Sequence, residues 1–245
     1  MENKKQNLCI MLPTYNEAKT IETLINNIIA VNKHLSDWQI HILVVDDNST
    51  DGTANIVKNK QQEFPFLYLT EDKKQGLGKA YLRGILWILK NLPETKNILI
   101  MDADLSHDAK YIPEFLKFAQ EGYDFIIGSR YVAGGDCLGW NWQRKKLSYW
   151  GNQYIRFVGK IPNIHDWTSG FRCISTKFLK SIDLEQLLTT GYAFNMNFLH
   201  HAVKHGAKIK ELPIVFVNRK EGQSKLGWND IIEYFLNATS LYSRN

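Results

Sequence analysis

Two aspartates one residue apart, Asp102 and Asp104 flanking Ala103, follow directly on an apolar run at 97–101. Alternate residues of an extended segment project to one side, so both carboxylates reach the same spot. Like charges this close stay ionised together only beside a cation, and hard oxygen ligands suit Mg²⁺ or Mn²⁺ bridging a diphosphate. The triplet alone is a common pattern; its place at the end of a buried strand makes it a candidate site. His107 and Asp108 come next, and a histidine in a polar loop reads as a solvated residue rather than a ligand.

Two other run ends carry polar chemistry. Pro13, Thr14, Tyr15, Asn16 and Glu17 close the run at 8–12, and Thr14 to Glu17 fits the S/T-x-x-E capping box of a helix start. Asp46, Asp47, Asn48, Ser49, Thr50, Asp51 and Gly52 close the run at 40–45. Those carboxylates either cap the loop, with Gly52 relieving the turn, or bind a ribose hydroxyl or base edge. The stretch 75–84 (QGLGKAYLRG) is similar to a phosphate-binding glycine loop but lacks the GxxxxGK[ST] spacing. Its glycines let backbone approach a ligand, while Lys79 and Arg83 read equally well as solvent-facing helix charges.

The elements that must hold these residues follow from the periodicity. Short apolar runs at 8–12, 40–45, 66–70, 97–101 and 123–128 alternate with helix-length segments such as Ile21, Leu24, Ile25, Ile28 and Ile29. Strands joined by crossover helices pair in parallel and are buried on both faces, which accounts for runs that are continuous rather than alternating. Residues 1 to about 130 therefore read as an open doubly wound sheet. Beyond Arg130 the periodicity fades into aromatic and basic residues, Trp140 to Arg156; strand-like stretches return at 170–174 and 208–217, with a helix-like one at 193–205 and an amphipathic one at 228–241. No linker, repeat or low-complexity tract divides the 245 residues.

A composition of 44% hydrophobic and 22% charged residues excludes disordered and fibrous classes. A net charge of +5 suits nucleic acid, an anionic membrane or a phosphorylated substrate. Three cysteines without a CxxC pair argue against a disulfide framework or zinc site and favour the cytosol. No apolar run approaches the ~20 residues that span a bilayer, so a lipid substrate implies a peripheral protein on the cytosolic membrane face.

With these residues in view, the chain resembles the polyprenol-phosphate (dolichol-phosphate) mannosyltransferases within the inverting GT-A glycosyltransferases of family two. The resemblance runs through PTYNE at 13–17, VVDDNSTDGT at 44–53, GLGKAYLRG at 76–84, MDADLSH at 101–107, GSRYVAGG at 128–135, DWTSGFR at 166–172 and FVNRKEGQSKLG at 216–227. Each piece is weak alone, and the ordered series over nearly the whole chain is specific. It implies a single GT-A domain over 1–245, an open and mostly parallel α/β sheet flanked by helices, with a nucleotide-sugar half at 1–130 and an acceptor half at 131–245. It implies that Pro13, Tyr15, Glu17 and Asp46 contact the nucleotide, and that Val45, Asp47, Lys79, Ala103 and Arg172 belong to the same substrate-binding set. Asp102 and Asp104 would hold the metal, with Ser106 where some relatives carry a metal-binding Gln. Arg130, Arg144, Arg219 and Lys225 would face the acceptor phosphate and donor diphosphate, a role suited to guanidinium forks.

The implied reaction moves mannose from GDP-mannose onto polyprenyl phosphate with Mg²⁺ or Mn²⁺. A phosphate monoester is already an anion near neutral pH, so it attacks the anomeric carbon with little need of a general base, and one displacement inverts that centre. The sequence departs from the family's FQxE segment, since Phe194 is followed by Asn195, Met196 and Asn197, and Asn197 supplies no carboxylate to a sugar hydroxyl. That leaves a UDP-hexose donor, a saccharide acceptor or a catalytically silent nucleotide-sugar binder as alternatives. Family members of the soluble type often depend on a small membrane partner. The aromatic and basic residues at 140–156 and 228–241 read either as core or as a surface resting on headgroups. Nucleic-acid binding is a third candidate on the basic charge and interleaved aromatics, but no RNA- or DNA-binding signature accompanies them, so no nucleic-acid partner is expected.

Overall fold

The computed structural model describes residues 5–73, 76–187 and 194–218. In chain order they form β1 (Gln6–Thr14), α1 (Ile21–Asn32), β2 (Trp38–Asp46), α2 (Thr53–Gln61), β3 (Leu67–Glu71), α3 (Leu77–Asn91), β4 (Thr95–Ile100) and α4 (Ile112–Gln120). There follow β5 (Phe125–Ser129), β6 (Asp136–Leu138), α5 (Trp142–Val158), β7 (Arg172–Ser175), α6 (Thr176–Leu179), α7 (Phe194–Lys204), β8 (Ile209–Pro213) and β9 (Val215–Val217). All five apolar runs of the first half became strands.

The main sheet has seven strands in the order β3-β2-β1-β4-β7-β5-β8, all pairing in parallel except β7, which runs antiparallel to β4 and β5. The sheet is buried on both faces. Along β1, Leu8, Ile10 and Leu12 join one core with Leu24, Ile25 and Ile28 of α1 and Phe115 of α4. Cys9 and Met11 join the other with Tyr81 and Ile85 of α3 and Phe198 of α7. All three cysteines are free and buried, each as a small apolar filler.

Helix α3 lies very close to the sheet: a Cβ on Gly84 would stand 2.3 Å from Met11 Sδ and 2.8 Å from Val45 Cγ2. Only a glycine allows that approach.

Three differences from the sequence reading have local causes. The capping box does not form, because Thr14 completes β1 and its hydroxyl donates to Asp46 Oδ1 at 3.0 Å; α1 begins after Thr20. The stretch 208–217 is two strands, since β8 ends at Pro213, which has no N–H for a ladder, and β9 pairs with β6 in a separate two-stranded sheet. The aromatic tract after Arg130 contains the 17-residue helix α5. Of that helix only Gly151, Asn152 and Ile155 are buried, so it carries no inward apolar stripe from which a period could be read.

Candidate active site

Parallel strands β1, β2 and β4 end at one edge of the sheet, which is where ligands of such sheets bind. The loops after β1 and β2 are stitched together there. Asn16 N donates to Ser49 Oγ at 2.8 Å, Thr50 N to Asn16 Oδ1 at 2.9 Å, Glu17 N to Thr53 Oγ1 at 2.9 Å and Ala18 N to Asp51 Oδ2 at 2.9 Å. Asn16 and Asn48 adopt φ of 58° and 59°, a left-handed conformation that asparagine tolerates. Pro13, Tyr15 and Glu17 are left partly exposed on the rim of this loop pair.

The carboxylate of Asp46 is fully buried and takes three hydrogen bonds, from Thr14 Oγ1, Ser49 N and Ser49 Oγ. It braces the loop pair from beneath. Val45 is likewise core, its side chain packed beneath Gly84. Arg83 is not a solvent-facing helix charge: it donates to Asp46 O at 3.2 Å and to Asp47 Oδ1 at 2.9 Å, tying α3 to the end of β2. Burial raises the Asp47 carboxyl above its usual range despite the opposing pull of Arg83. Lys79 is exposed on the first turn of α3.

After β4 the chain turns sharply, with Leu105 at φ 63°, a conformation uncommon for a branched apolar residue and of the kind concentrated at functional sites. The turn brings Ser106 N to 3.0 Å and Ser106 Oγ to 2.5 Å from Asp104 Oδ1, so the Ser106 hydroxyl orients that carboxylate. His107 is buried rather than solvated. Its ring stacks on Phe171 at 4.7 Å, and its Nδ1 accepts the N–H of Asp102 at 3.0 Å. Burial lowers the His107 pKa in spite of Asp102 and Asp104, so the ring is neutral and Nε2 carries the proton. Ala103 is buried between the two aspartates.

Asp104 is buried whereas the Asp102 side chain is 40% exposed, so the pair faces outward through one member. Among the described residues no group of three or more His, Cys, Asp or Glu gathers to close a metal cage. Two hard oxygen donors at an open strand end fit Mg²⁺ or Mn²⁺, which complete their coordination with water and phosphate oxygens. Gly170 keeps the space beside them clear: a Cβ there would stand 3.2 Å from Asp102 Oδ1 and 3.2 Å from Tyr81 Oη. Gly170→Ala is expected to push the Asp102 carboxylate aside and weaken Mn²⁺ affinity about tenfold, measured by titration calorimetry. Unchanged affinity would mean the aspartate is not placed by this contact.

Arg130 follows β5 and is buried, its guanidinium donating to Asp166 Oδ2 at 2.7 Å through Nε and Oδ1 at 2.7 Å through Nη2. Asp166 also accepts from Arg130 N, Thr168 N, Thr168 Oγ1 and Ser169 N. Glu211 of β8 holds the loop carrying Asp166, accepting from His165 N at 2.9 Å, Asp166 N at 2.9 Å and His165 Nδ1 at 2.8 Å. Arg172 lies inside the fold. It is fully buried and its guanidinium donates to the carbonyls of Trp167, Ser169 and Asn195, binding the same loop to α7. Asn195 and Asn197 are buried at the start of α7, and both amide heteroatoms of Asn197 lack a protein partner among the described residues. A substrate hydroxyl is the kind of group that satisfies such an amide.

Arg144, on the first turn of α5, stacks over Trp140 at 4.0 Å and donates to Asn218 Oδ1 at 3.3 Å. Arg219, Lys225 and the amphipathic stretch 228–241 lie outside the described residues. Sequence reasoning missed the roles of His107, Asp166 and Glu211. The first two stood inside quoted motifs, while nothing marks Glu211 until β8 is placed beside β5.

The chain matches the family model "Glycosyl transferase family 2" over residues 9–183. It is 36% identical over 231 residues to the polyprenol monophosphomannose synthase of Mycolicibacterium smegmatis, covering 93% of this chain and 84% of that protein. It is 34% identical over 233 residues to the undecaprenyl-phosphate mannosyltransferase of Micrococcus luteus, covering 94% of this chain and 91% of that one. In fold it is similar to the glucosyl-3-phosphoglycerate synthase of Mycobacterium tuberculosis bound to Mn²⁺, UDP and phosphoglyceric acid (TM-score 0.70, 14% identity, 97% and 78% of the two chains). The mannosyl-3-phosphoglycerate synthase of Rubrobacter xylanophilus is equally similar (TM-score 0.70, 18% identity, 98% and 73%). These neighbours share the mixed α/β GT-A architecture, and with its diaspartate turn in the segment that the family model matches, the chain belongs to glycosyl transferase family 2.

Proposed function

We propose that this chain transfers mannose from GDP-mannose to a polyprenyl monophosphate with inversion of the anomeric centre. The observation that carries this reading is the similarity, over more than nine-tenths of the chain, to two proteins named for mannosyl transfer to polyprenyl phosphates. The rim of Pro13, Tyr15 and Glu17 takes the nucleotide, and residues beyond Arg130 take the acceptor. Asp102 and Asp104 would hold a divalent cation, which would supply positive charge to offset that of the departing nucleoside diphosphate. The chain's own part is positioning: Ser106 and His107 aim the aspartates, and Asp166 holds Arg130 in place for a phosphate. No side chain need act as nucleophile, because the acceptor phosphate is already ionised.

Transfer of radiolabelled sugar into organic-extractable lipid, from GDP-mannose beside UDP-glucose and UDP-GlcNAc, tests the reading. Metal-dependent labelling from GDP-mannose alone supports it, and labelling from a UDP-sugar overturns the donor. Asn195 and Asn197 favour a UDP-hexose as the second reading, because neither asparagine supplies the carboxylate of the FQxE segment. Product with retained configuration would overturn the single displacement.

The site must meet its lipid at the cytosolic face of a membrane. No helix among the described residues is long and apolar enough to cross one. Helix α5 instead exposes Trp142 (66%), Trp150 (65%) and Phe157 (84%), with Lys145, Lys146 and Arg156 on the same helix. Aromatics flanked by cations lie favourably at an anionic headgroup surface. Trp150→Ser with Phe157→Ser is expected to lose most sedimentation with anionic vesicles while retaining turnover of a short, soluble isoprenyl phosphate. Undiminished sedimentation would remove α5 from the membrane contact and leave a separate anchoring partner as the route.

A further inference from the structure

Trp140, the first residue of the aromatic and basic tract, stands in the short connection between β6 and α5. Its ring gathers the basic residues of the site. The Arg144 guanidinium lies 4.0 Å from the ring centroid and the Arg130 guanidinium 5.5 Å from it. Phe216 of β9 packs edge-on against the same ring at 5.5 Å, and edge-on against His107 at 5.7 Å, so the indole is joined through one intervening ring to the diaspartate turn. Two like charges beside one ring repel each other, and the face of an indole offsets part of that repulsion.

The indole N–H itself is the unexplained group. Nε1 of Trp140 is buried and has no hydrogen-bond partner among the described residues. A buried donor left without an acceptor is unfavourable, and such groups in folded proteins ordinarily have a partner. An acceptor that would also draw two guanidiniums to the same spot is an anion with several oxygens. Phosphate has that character: Arg130, with Nε and Nη2 engaged by Asp166 and Thr168, offers Nη1, Arg144 offers a second guanidinium, and the indole adds one further directed donor.

We infer that Trp140 is a phosphate-binding residue: its ring sets the Arg130 and Arg144 guanidiniums, and its Nε1–H donates to a phosphate oxygen of the substrate. The inference rests on the proposed use of those arginines for phosphate. The phosphate belongs either to the polyprenyl monophosphate or to the donor diphosphate, and the two KM values separate these sources.

The experiment compares wild type with Trp140→Phe, which keeps an aromatic face and removes the N–H, and Trp140→Leu, which removes both. Steady-state kinetics are measured with a short-chain isoprenyl monophosphate and the sugar nucleotide varied in turn, and direct binding of each is measured by calorimetry. Trp140→Phe is expected to raise KM and Kd for one phosphate substrate about tenfold with kcat changed far less. Trp140→Leu is expected to raise them about a hundredfold. A rise confined to the isoprenyl phosphate assigns the acceptor; a rise confined to the nucleotide assigns the diphosphate. A folded Trp140→Phe with wild-type KM and Kd for both substrates overturns the inference, even if Trp140→Leu fails to fold. Wild-type protein that neither transfers to the isoprenyl phosphate nor binds it overturns the proposed function instead.

Discussion

Asp104→Asn leaves the protein folded and lowers kcat/KM for sugar transfer by about 10³-fold. The asparagine has the same shape, and its Oδ1 still accepts from Ser106 N and Oγ, so the turn at Leu105 is kept. What it removes is the charge that pairs with a cation, at a buried position where charge interacts through a lower dielectric than water. The companion Ser106→Ala keeps the charge and loses one orienting bond, so a smaller loss of about tenfold is expected. Initial rates at saturating Mn²⁺ check both, with the thermal midpoint as the control for folding. An Asp104→Asn enzyme within tenfold of wild type would show that the diaspartate is not the metal site.

The second large effect is on stability. Asp166→Ala removes a fully buried carboxylate that accepts six hydrogen bonds and leaves the Arg130 guanidinium buried without its partner. Breaking one side of a buried pair costs about 3–5 kcal/mol, since the remaining charge is then neither solvated nor compensated. Burial by itself raises the Asp166 carboxyl; Arg130 and the N–H donors outweigh it and hold it below the usual carboxylate range. A depressed carboxylate stabilises the fold above its unfolded pKa of ~3.9 and stops doing so as pH falls through the lower folded value. The gap between wild type and Asp166→Ala should therefore be full at pH 7 and narrow below about pH 4. Urea denaturation at several pH values measures it, and a gap under about 1 kcal/mol at pH 7 would contradict the account. Replacing both partners, Arg130→Met with Asp166→Leu, is expected to recover only the share due to the stranded guanidinium, because the N–H groups of Arg130, Thr168 and Ser169 still lose their acceptor. Transfer should remain low in that double variant if Arg130 serves a phosphate, which separates the role in folding from the role in the site.

The parallel half of the fold was legible because its physics is local. A strand buried on both faces must be a continuous apolar run, and its crossover helix must repeat at three and four residues, as Ile21, Leu24, Ile25 and Ile28 do. The diaspartate was legible for the same reason, since two residues after such a strand necessarily sit at the ligand edge. Helix α5 was not, because most of its large apolar residues face outward and only Ile155 among them is buried, which leaves no stripe by which a core is recognised.

Sequence by itself determined the strand runs, their crossover helices, the place of Asp102 and Asp104 and the family. Tertiary structure alone decided what each polar side chain is for. Asp46, Arg83, Arg130 and Arg172 have the residue types of ligand contacts, yet each carries a bond to a partner 3 to 37 positions away. Asp46 and Arg172 are fully buried, and the bonds named here brace loops. The physical reason is that a charge type fixes what a group can bond, while burial and the neighbours brought by distant strands fix what it does bond. Glu211 shows this most simply: it acts on the site only because β8 pairs with β5 and brings a carboxylate beneath the backbone of His165 and Asp166.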